Sequence, residues 1–163
     1  MAVNMQVNLG GLLMKNPVTT ASGTFASGHE YADFIDVGAL GAVTTKGVSL
    51  NGWAGNDAPR IAETPFGMLN SIGLQNPGVE VLKQRDLPWL KDQNATVIVN
   101  VSGHSLDEYA AVVDSLEESN EVDAYELNIS CPNVDCGGMT FGTDPTMAAS
   151  VAVSYTHLRA HET

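Results

Sequence analysis

Short apolar runs alternate with stretches of helical spacing along most of the chain, and almost every run ends in Gly, Ser or Asn. Val7 to Asn16 reads as a hairpin about Gly10-Gly11, and Pro17 to Ala21 as a short extended run that stops at Ser22-Gly23. Ser27 with Glu30 three residues later has the spacing of a capping box, opening a helix with Tyr31, Phe34 and Ile35 on one face. Gly41 to Val48 predicts the next strand, with Lys46 near its end. Ser49 to Gly78 reads as a long irregular excursion, rich in turn residues such as Asn51-Gly52, Pro59, Pro65 and Asn76-Pro77. Loops of that length are uncommon and are often functional.

The second half repeats the alternation. Val79 to Lys83 predicts a helix, and Leu87 to Leu90 closes the connection. Ala95 to Val101 is apolar at nearly every position, as expected of a strand covered on both faces of a parallel sheet. A second capping box, Ser105 with Glu108, starts a helix bearing Leu106, Tyr109, Ala110, Val113 and Leu116. Ala124 to Ile129 is the fourth core strand and runs into Ser130-Cys131-Pro132-Asn133. Thr143-Asp144-Pro145 then opens a last helix, Pro145 being tolerated in its first turn. The order βαβαβαβ predicts an α/β fold with a parallel sheet.

Composition narrows the function classes. The net charge of −12, from 19 acidic and 7 basic residues, argues against binding nucleic acid or docking on an anionic membrane. No run of about 18 apolar residues suggests a spanning helix, and no basic start with an apolar block suggests a signal peptide. The expected location is the cytoplasm. Cys131 and Cys136 are the two cysteines; they do not make a disulfide framework, and no metal site is expected.

Chemistry in such folds gathers at the carboxyl ends of the strands. Those ends carry Ser22-Gly23, Lys46-Gly47, Asn100 and Asn128 to Asn133. Cys131, after a buried strand and before Pro132, reads either as a small core residue or as a thiolate acting as general base. Asn128 and Asn133 beside it suit the hydrogen-bonding edge of a polar ligand. Lys46 is either a solvated strand-end lysine or the partner of an anionic ligand. His29 and His104, near predicted helix starts, read as surface residues.

Together these segments resemble one family. Asn128-Ile129-Ser130-Cys131-Pro132-Asn133 is similar to the catalytic segment of class 1 dihydroorotate dehydrogenases. Ala21-Ser22-Gly23, Thr45-Lys46, Gly67-Met68-Leu69-Asn70 through Pro77-Gly78, and Asn100-Val101 resemble that family in the same order, over roughly residues 5 to 151. The resemblance implies a TIM (β/α)8 barrel with FMN at its C-terminal face, oxidising dihydroorotate to orotate in pyrimidine (UMP) biosynthesis. It implies that Cys131 removes a proton from C5 as hydride passes from C6 to the flavin. By the same resemblance Asn70, Ser71, Ile72, Gly73 and Leu74 hold the orotate ring and carboxylate, together with Asn133. Lys46 and Asn128 touch both substrate and flavin, and Ser22, Gly47 and Asn100 contact FMN. Gly67-Met68-Leu69-Asn70 and Gly137-Gly138-Met139-Thr140-Phe141-Gly142-Thr143-Asp144-Pro145 resemble the NAD-linked subclass. Its members pair with a subunit carrying FAD and a 2Fe–2S cluster, and the full-length catalytic subunit is expected to be a homodimer.

The chain departs from the family pattern in length. Only about four of the eight βα units are present, so residues 1–151 are expected to be the N-terminal half of the barrel. Such a truncated half barrel is expected to be catalytically inactive by itself. Residues 152–163 do not continue the family pattern and resemble translated sequencing read-through. Two other functions remain open: a related FMN enzyme acting on a different dihydropyrimidine such as dihydrouracil, and a non-catalytic half-barrel.

Overall fold

A computed structural model describes residues 3–130 and 138–159. Cys131, Asn133 and Cys136 therefore lie outside the described residues. The N-terminal hairpin forms as expected: β1 (Val7–Leu9) pairs antiparallel with β2 (Leu12–Met14) around Gly10-Gly11. The extended run after it meets the sheet through one parallel bridge, Thr19 to Ala42. The parallel sheet itself has the order β3-β8-β9, with β3 at Val43–Thr44, β8 at Val97–Val101 and β9 at Ala124–Leu127. Val48 rejoins β8 by a further parallel bridge at Val101, so the third run is a strand interrupted around Lys46.

The central strand is buried at all five positions. Val97, Val99 and Val101 belong to the main core, with Leu87 and Leu90 from one helix and Tyr109, Val112, Val113 and Leu116 from another. Full burial of an aliphatic side chain of this size is worth about 1.5–3 kcal/mol. The opposite face of the same strand supplies Ile98 to a smaller cluster with Met14 and Ala42, against which Val7, Leu12 and Ala124 pack. The hairpin thus covers the amino ends of the strands. The carboxyl ends are left for polar side chains.

The helices follow the predicted spacing in the second half. The helix α4 (Leu106–Glu117) begins at Ser105, whose Oγ accepts from the Glu108 N–H at 3.2 Å. Glu108 reaches back one residue further than a standard capping box, accepting from the His104 N–H at 2.9 Å. The last helix, α6 (Pro145–Arg159), is capped by Asp144, whose Oδ1 accepts from Thr146 and Met147. Ahead of it lies a short helix, α5 (Gly138–Thr143). No described helix is long and apolar enough to cross a membrane.

Two expectations are corrected. Ser27 and Glu30 do not start a helix. Instead α1 (Ser22–Phe25) comes earlier, and His29–Tyr31 makes one 3-10 turn after Gly28, whose φ of +95° is off the helical path. Tyr31, Phe34 and Ile35 are all exposed, so no buried apolar face forms there. The excursion from 49 to 78 is also more regular than its turn residues suggest. It contains two antiparallel pairs, β4 (Asn51–Trp53) with β7 (Asn76–Gly78), and β5 (Ile61–Thr64) with β6 (Gly67–Asn70). The second pair stands clear of the core, exposed at every strand position, with Phe66 fully exposed at its turn.

Ser27 has another role. Its Oγ donates to Asp86 Oδ2 at 2.9 Å, and His29 Nε2 lies 3.1 Å from Asp86 Oδ1 while its ring stacks on Trp89 at 3.9 Å. Asp86 closes a π-turn (Leu82–Asp86) between α2 (Val79–Val81) and α3 (Leu87–Asp92), just before Pro88, which cannot donate a backbone bond. Arg85 Nε completes the set at 2.6 Å from Asp86 Oδ1. Burial pushes the Asp86 carboxyl up, but the bonds from Arg85, Ser27 and His29 outweigh it and hold the group below the ordinary aspartate range. A depressed folded-state value means that Asp86 stabilises the fold above the unfolded pKa of about 3.9, and that this is lost as pH falls through the folded value. Asp86→Ala is expected to cost about 2–3 kcal/mol at neutral pH, and far less at an acid pH where the folded-state carboxyl has become protonated. Urea unfolding followed by Trp89 fluorescence checks this; an equal cost at both pH values would refute the ionised latch.

Candidate functional site

Three strand ends and two connecting segments meet at one cavity of about 650 Å³. The residues after the bridge at Thr19 contribute Ser22, Gly23 and Thr24; the β3 end contributes Lys46; β8 contributes Asn100. Glu126, Leu127, Asn128 and Ser130 come from β9 and its continuation. Asn70, Ile72 and Leu74 enter from the segment after β6. Four scattered polar clusters in the sequence thus become one wall, because parallel strands deliver all their carboxyl ends to the same side.

Asn70, Ile72 and Leu74 line the cavity, and the chain turns through the left-handed region at Gly73 and Leu74 (φ +73° and +52°) as it brings them there. Ser71 instead accepts from Asn56 Nδ2 at 2.8 Å on its Oγ, and its N–H donates to Arg60 O at 2.8 Å. Gly73 is buried against Asn56 with φ +73°, and a Cβ there would lie 2.6 Å from the Asn56 backbone nitrogen. Ser71 and Gly73 therefore hold the segment's shape, while their neighbours look inward.

Polar groups at the strand ends are packed closely. Asn100 is 2 % exposed; its Nδ2 donates to Glu126 Oε1 at 2.5 Å, and its Oδ1 accepts from Asn128 Nδ2 at 3.4 Å. Tyr109, from the core side, donates through its hydroxyl to the Asn128 carbonyl at 2.5 Å. Gly47 sits directly beneath this cluster. A Cβ on it would lie 2.6 Å from Asn100 Oδ1 and 2.9 Å from Ser102 Oγ, so only glycine lets the backbone approach. Ser102 Oγ is buried without a hydrogen-bond partner among the described residues. Lys46 is partly buried on the wall, and among the described residues no carboxylate pairs with it. Among the described residues Lys46 is the only cation lining the cavity, beside the Glu126 carboxylate, and a cation without a paired carboxylate suits a polar, anionic molecule.

Of the residues singled out by sequence, the structure brings Ser22, Lys46, Gly47, Asn70, Ile72, Leu74, Asn100 and Asn128 to this cluster or its wall. Cys131 and Asn133 lie outside the described residues. Sequence reasoning passed over Glu126, Ser102 and Thr24. A charged residue inside the otherwise apolar run of β9 was the available signal for Glu126. His104 is exposed, as expected, with its ring tilted against Trp53 at 4.1 Å and Nδ1 3.2 Å from Glu108 Oε2. His29 is half-buried, stacked on Trp89. Among the described residues no three His, Cys, Asp or Glu side chains are grouped to hold a metal ion.

Known proteins resemble this chain in sequence and fold. The sequence profile of the family described as dihydroorotate dehydrogenase matches residues 4–159. The chain is 54% identical over 149 residues to the catalytic subunit of dihydroorotate dehydrogenase B (NAD(+)) from Alkaliphilus metalliredigens, and 58% identical over 149 residues to that from Lachnoclostridium phytofermentans. Each alignment covers 91% of this chain and 49% of the relative, so the chain spans about half the length of these curated relatives. The crystal structure of DHODH in complex with ferulenol from Eimeria tenella superposes with a TM-score of 0.75 at 20% identity, over 94% of this chain and 43% of that one. At that identity the likeness concerns the fold, a partial α/β barrel of the TIM type. With its parallel strands delivering their polar ends to one cavity and the profile running through every segment that lines it, the chain belongs to the dihydroorotate dehydrogenase family.

Proposed function

We propose that this segment forms the flavin- and substrate-facing wall of an enzyme that oxidises dihydroorotate to orotate. The observation that carries the reading is the convergence of Lys46, Asn70, Asn100 and Asn128 on one cavity. FMN fits what the cavity offers. Lys46 supplies positive charge on the wall and Asn100 and Asn128 line it with amides, while Gly47 keeps a side chain out of the space that Asn100 and Ser102 fill beneath. Ser22, Lys46, Gly47, Asn100 and Asn128 would hold the cofactor. When bound, FMN supplies the two-electron acceptor for the hydride leaving C6 of dihydroorotate.

The chain's own residues bind, orient and move one proton. Lys46 and the amides of Asn70, Asn128 and Asn133 recognise the carboxylate and ring edges of the substrate, and Ile72 and Leu74 close over its apolar surface. Ser71 and Gly73 keep the segment in register for that contact. Cys131 accepts the C5 proton on Sγ, so that the C5–H electrons form the new C5–C6 double bond. Electrons then pass to NAD through a partner subunit carrying FAD and a 2Fe–2S cluster. The two cysteines of this segment are fewer than the four an iron–sulfur cluster usually needs, which supports a cluster carried by the partner. A homodimer of catalytic subunits in the cytoplasm completes the proposal.

The tests are made on a chain carried to the length of its relatives. That protein is expected to purify with FMN and to bleach its flavin with dihydroorotate but not with dihydrouracil; a flavin-free protein, or one reduced equally by both, would defeat the reading. Gly47→Ala should weaken FMN binding about tenfold, since the added methyl meets Asn100 and Ser102, and flavin release on dilution measures it. Cys131→Ala should keep FMN and orotate binding but lower kcat at least about a hundredfold. Stopped-flow flavin reduction would expose the opposite case, in which the rate is unchanged.

A further inference from the structure

The hydrogen bonds at the cavity floor run in one direction. Glu126 carries a carboxylate, which accepts and does not donate. Its Oε1 lies 2.5 Å from Asn100 Nδ2, so the edge of the Asn100 amide facing Glu126 has to be the NH₂ edge. The opposite edge, Oδ1, then faces Asn128 and needs a donor, which Asn128 Nδ2 provides at 3.4 Å. A carboxamide has one donor edge and one acceptor edge, so the polarity of Asn128 is fixed in turn. Its NH₂ is turned towards Asn100, and its Oδ1 has no hydrogen-bond partner among the described residues, on a residue that lines the cavity. The Tyr109 hydroxyl holds the Asn128 carbonyl at 2.5 Å, which fixes the backbone that carries this amide.

We propose that Glu126 is a positioning residue that sets the polarity of the Asn100–Asn128 amide pair, so that Asn128 presents an acceptor to a ring N–H of the bound pyrimidine. The proposal rests on the dihydroorotate reading above for the identity of that ring. The Glu126 carboxylate forms no bond to the ligand in this scheme; it acts through Asn100. Without an acceptor-only group at 126 the Asn100 amide can turn over, Asn128 follows, and the cavity presents NH₂ where the ring N–H needs an oxygen. A site built to pair a ligand N–H discriminates strongly against an analogue without it, whereas a site of undefined polarity does not.

The first experiment needs no ligand. In the protein carried to the relatives' length, the bond to the Glu126 carboxylate should move one Asn100 side-chain amide proton downfield of the other asparagines in ¹⁵N-resolved spectra. Glu126→Gln and Glu126→Met should return it to the ordinary range. An ordinary Asn100 resonance in the unaltered protein overturns the relay, whatever the protein binds. The second experiment titrates orotate, 1-methylorotate and 3-methylorotate and follows the flavin absorbance. The unaltered protein should prefer orotate over at least one of the methylated forms by about tenfold or more. Both variants should keep their FMN and lose orotate affinity while holding the methylated form as before, narrowing that preference to about threefold or less. An unchanged preference in variants that retain flavin overturns the proposal. A protein that takes up neither flavin nor orotate instead defeats the functional reading and the ligand half of the proposal with it, and the amide resonance still decides the relay.

Discussion

Strand β8 has to be covered on both faces and on both edges, and the rest of the structure answers that requirement. Its five residues are all buried. On one face Val97, Val99 and Val101 call for the two helices that bring Leu87, Leu90, Tyr109, Val112 and Leu116. On the other, Ile98 calls for Met14 and so for the N-terminal hairpin. Its backbone is paired on one side with β3 and on the other with β9, in parallel register. Parallel pairing forces a crossover connection between successive strands, and each crossover returns the chain to the same end of the sheet. The cavity is a by-product of that geometry: whatever follows each apolar run is delivered to one side.

Asn100 is the point where the core constraint and the chemical one meet. It belongs to the buried strand, and its backbone N–H donates to Thr45 Oγ1 while its carbonyl accepts from Val48. Its side chain, equally buried, engages Glu126 and Asn128. A polar residue so placed is tolerated because each of its groups is satisfied. The latch at Asp86 serves the same end from further away. By tying Ser27 and His29 to the helix that follows the excursion, it anchors the segment just after Ser22, Gly23 and Thr24 on the cavity wall.

Much of this was legible in the sequence where local and tertiary preferences agree. Ala95 to Val101 had to be a doubly covered strand, Ser105 had to cap a helix, and Thr143-Asp144-Pro145 had to open one, because pattern and local chemistry point the same way. The polar residues at the strand ends were legible as a set for the same reason. Reading failed where a side chain had a distant partner. Ser27 has the spacing of a helix cap, but its hydroxyl is claimed by Asp86, 59 positions away, and Gly28 turns the chain aside. In the excursion, turn residues were visible but the pairing of Ile61 with Asn70 was not, since no buried face imposes alternation on an exposed hairpin. Glu126 was hidden inside an apolar run, and its contact with Asn100 depends on strand register that no local signal reports.

The walls of the cavity are drawn from positions as far apart as Ser22 and Ser130. During synthesis the ribosome adds roughly 5–20 residues per second, so on the order of ten seconds separate the emergence of the first wall from that of the last. Throughout that interval Lys46 and the buried Asn100 are already made, while Glu126 and Asn128 are not. The nascent chain therefore carries an unpaired amide at the end of its most apolar strand until β9 arrives, and the order of translation sets the moment at which the floor of the cavity first becomes polar in a defined sense.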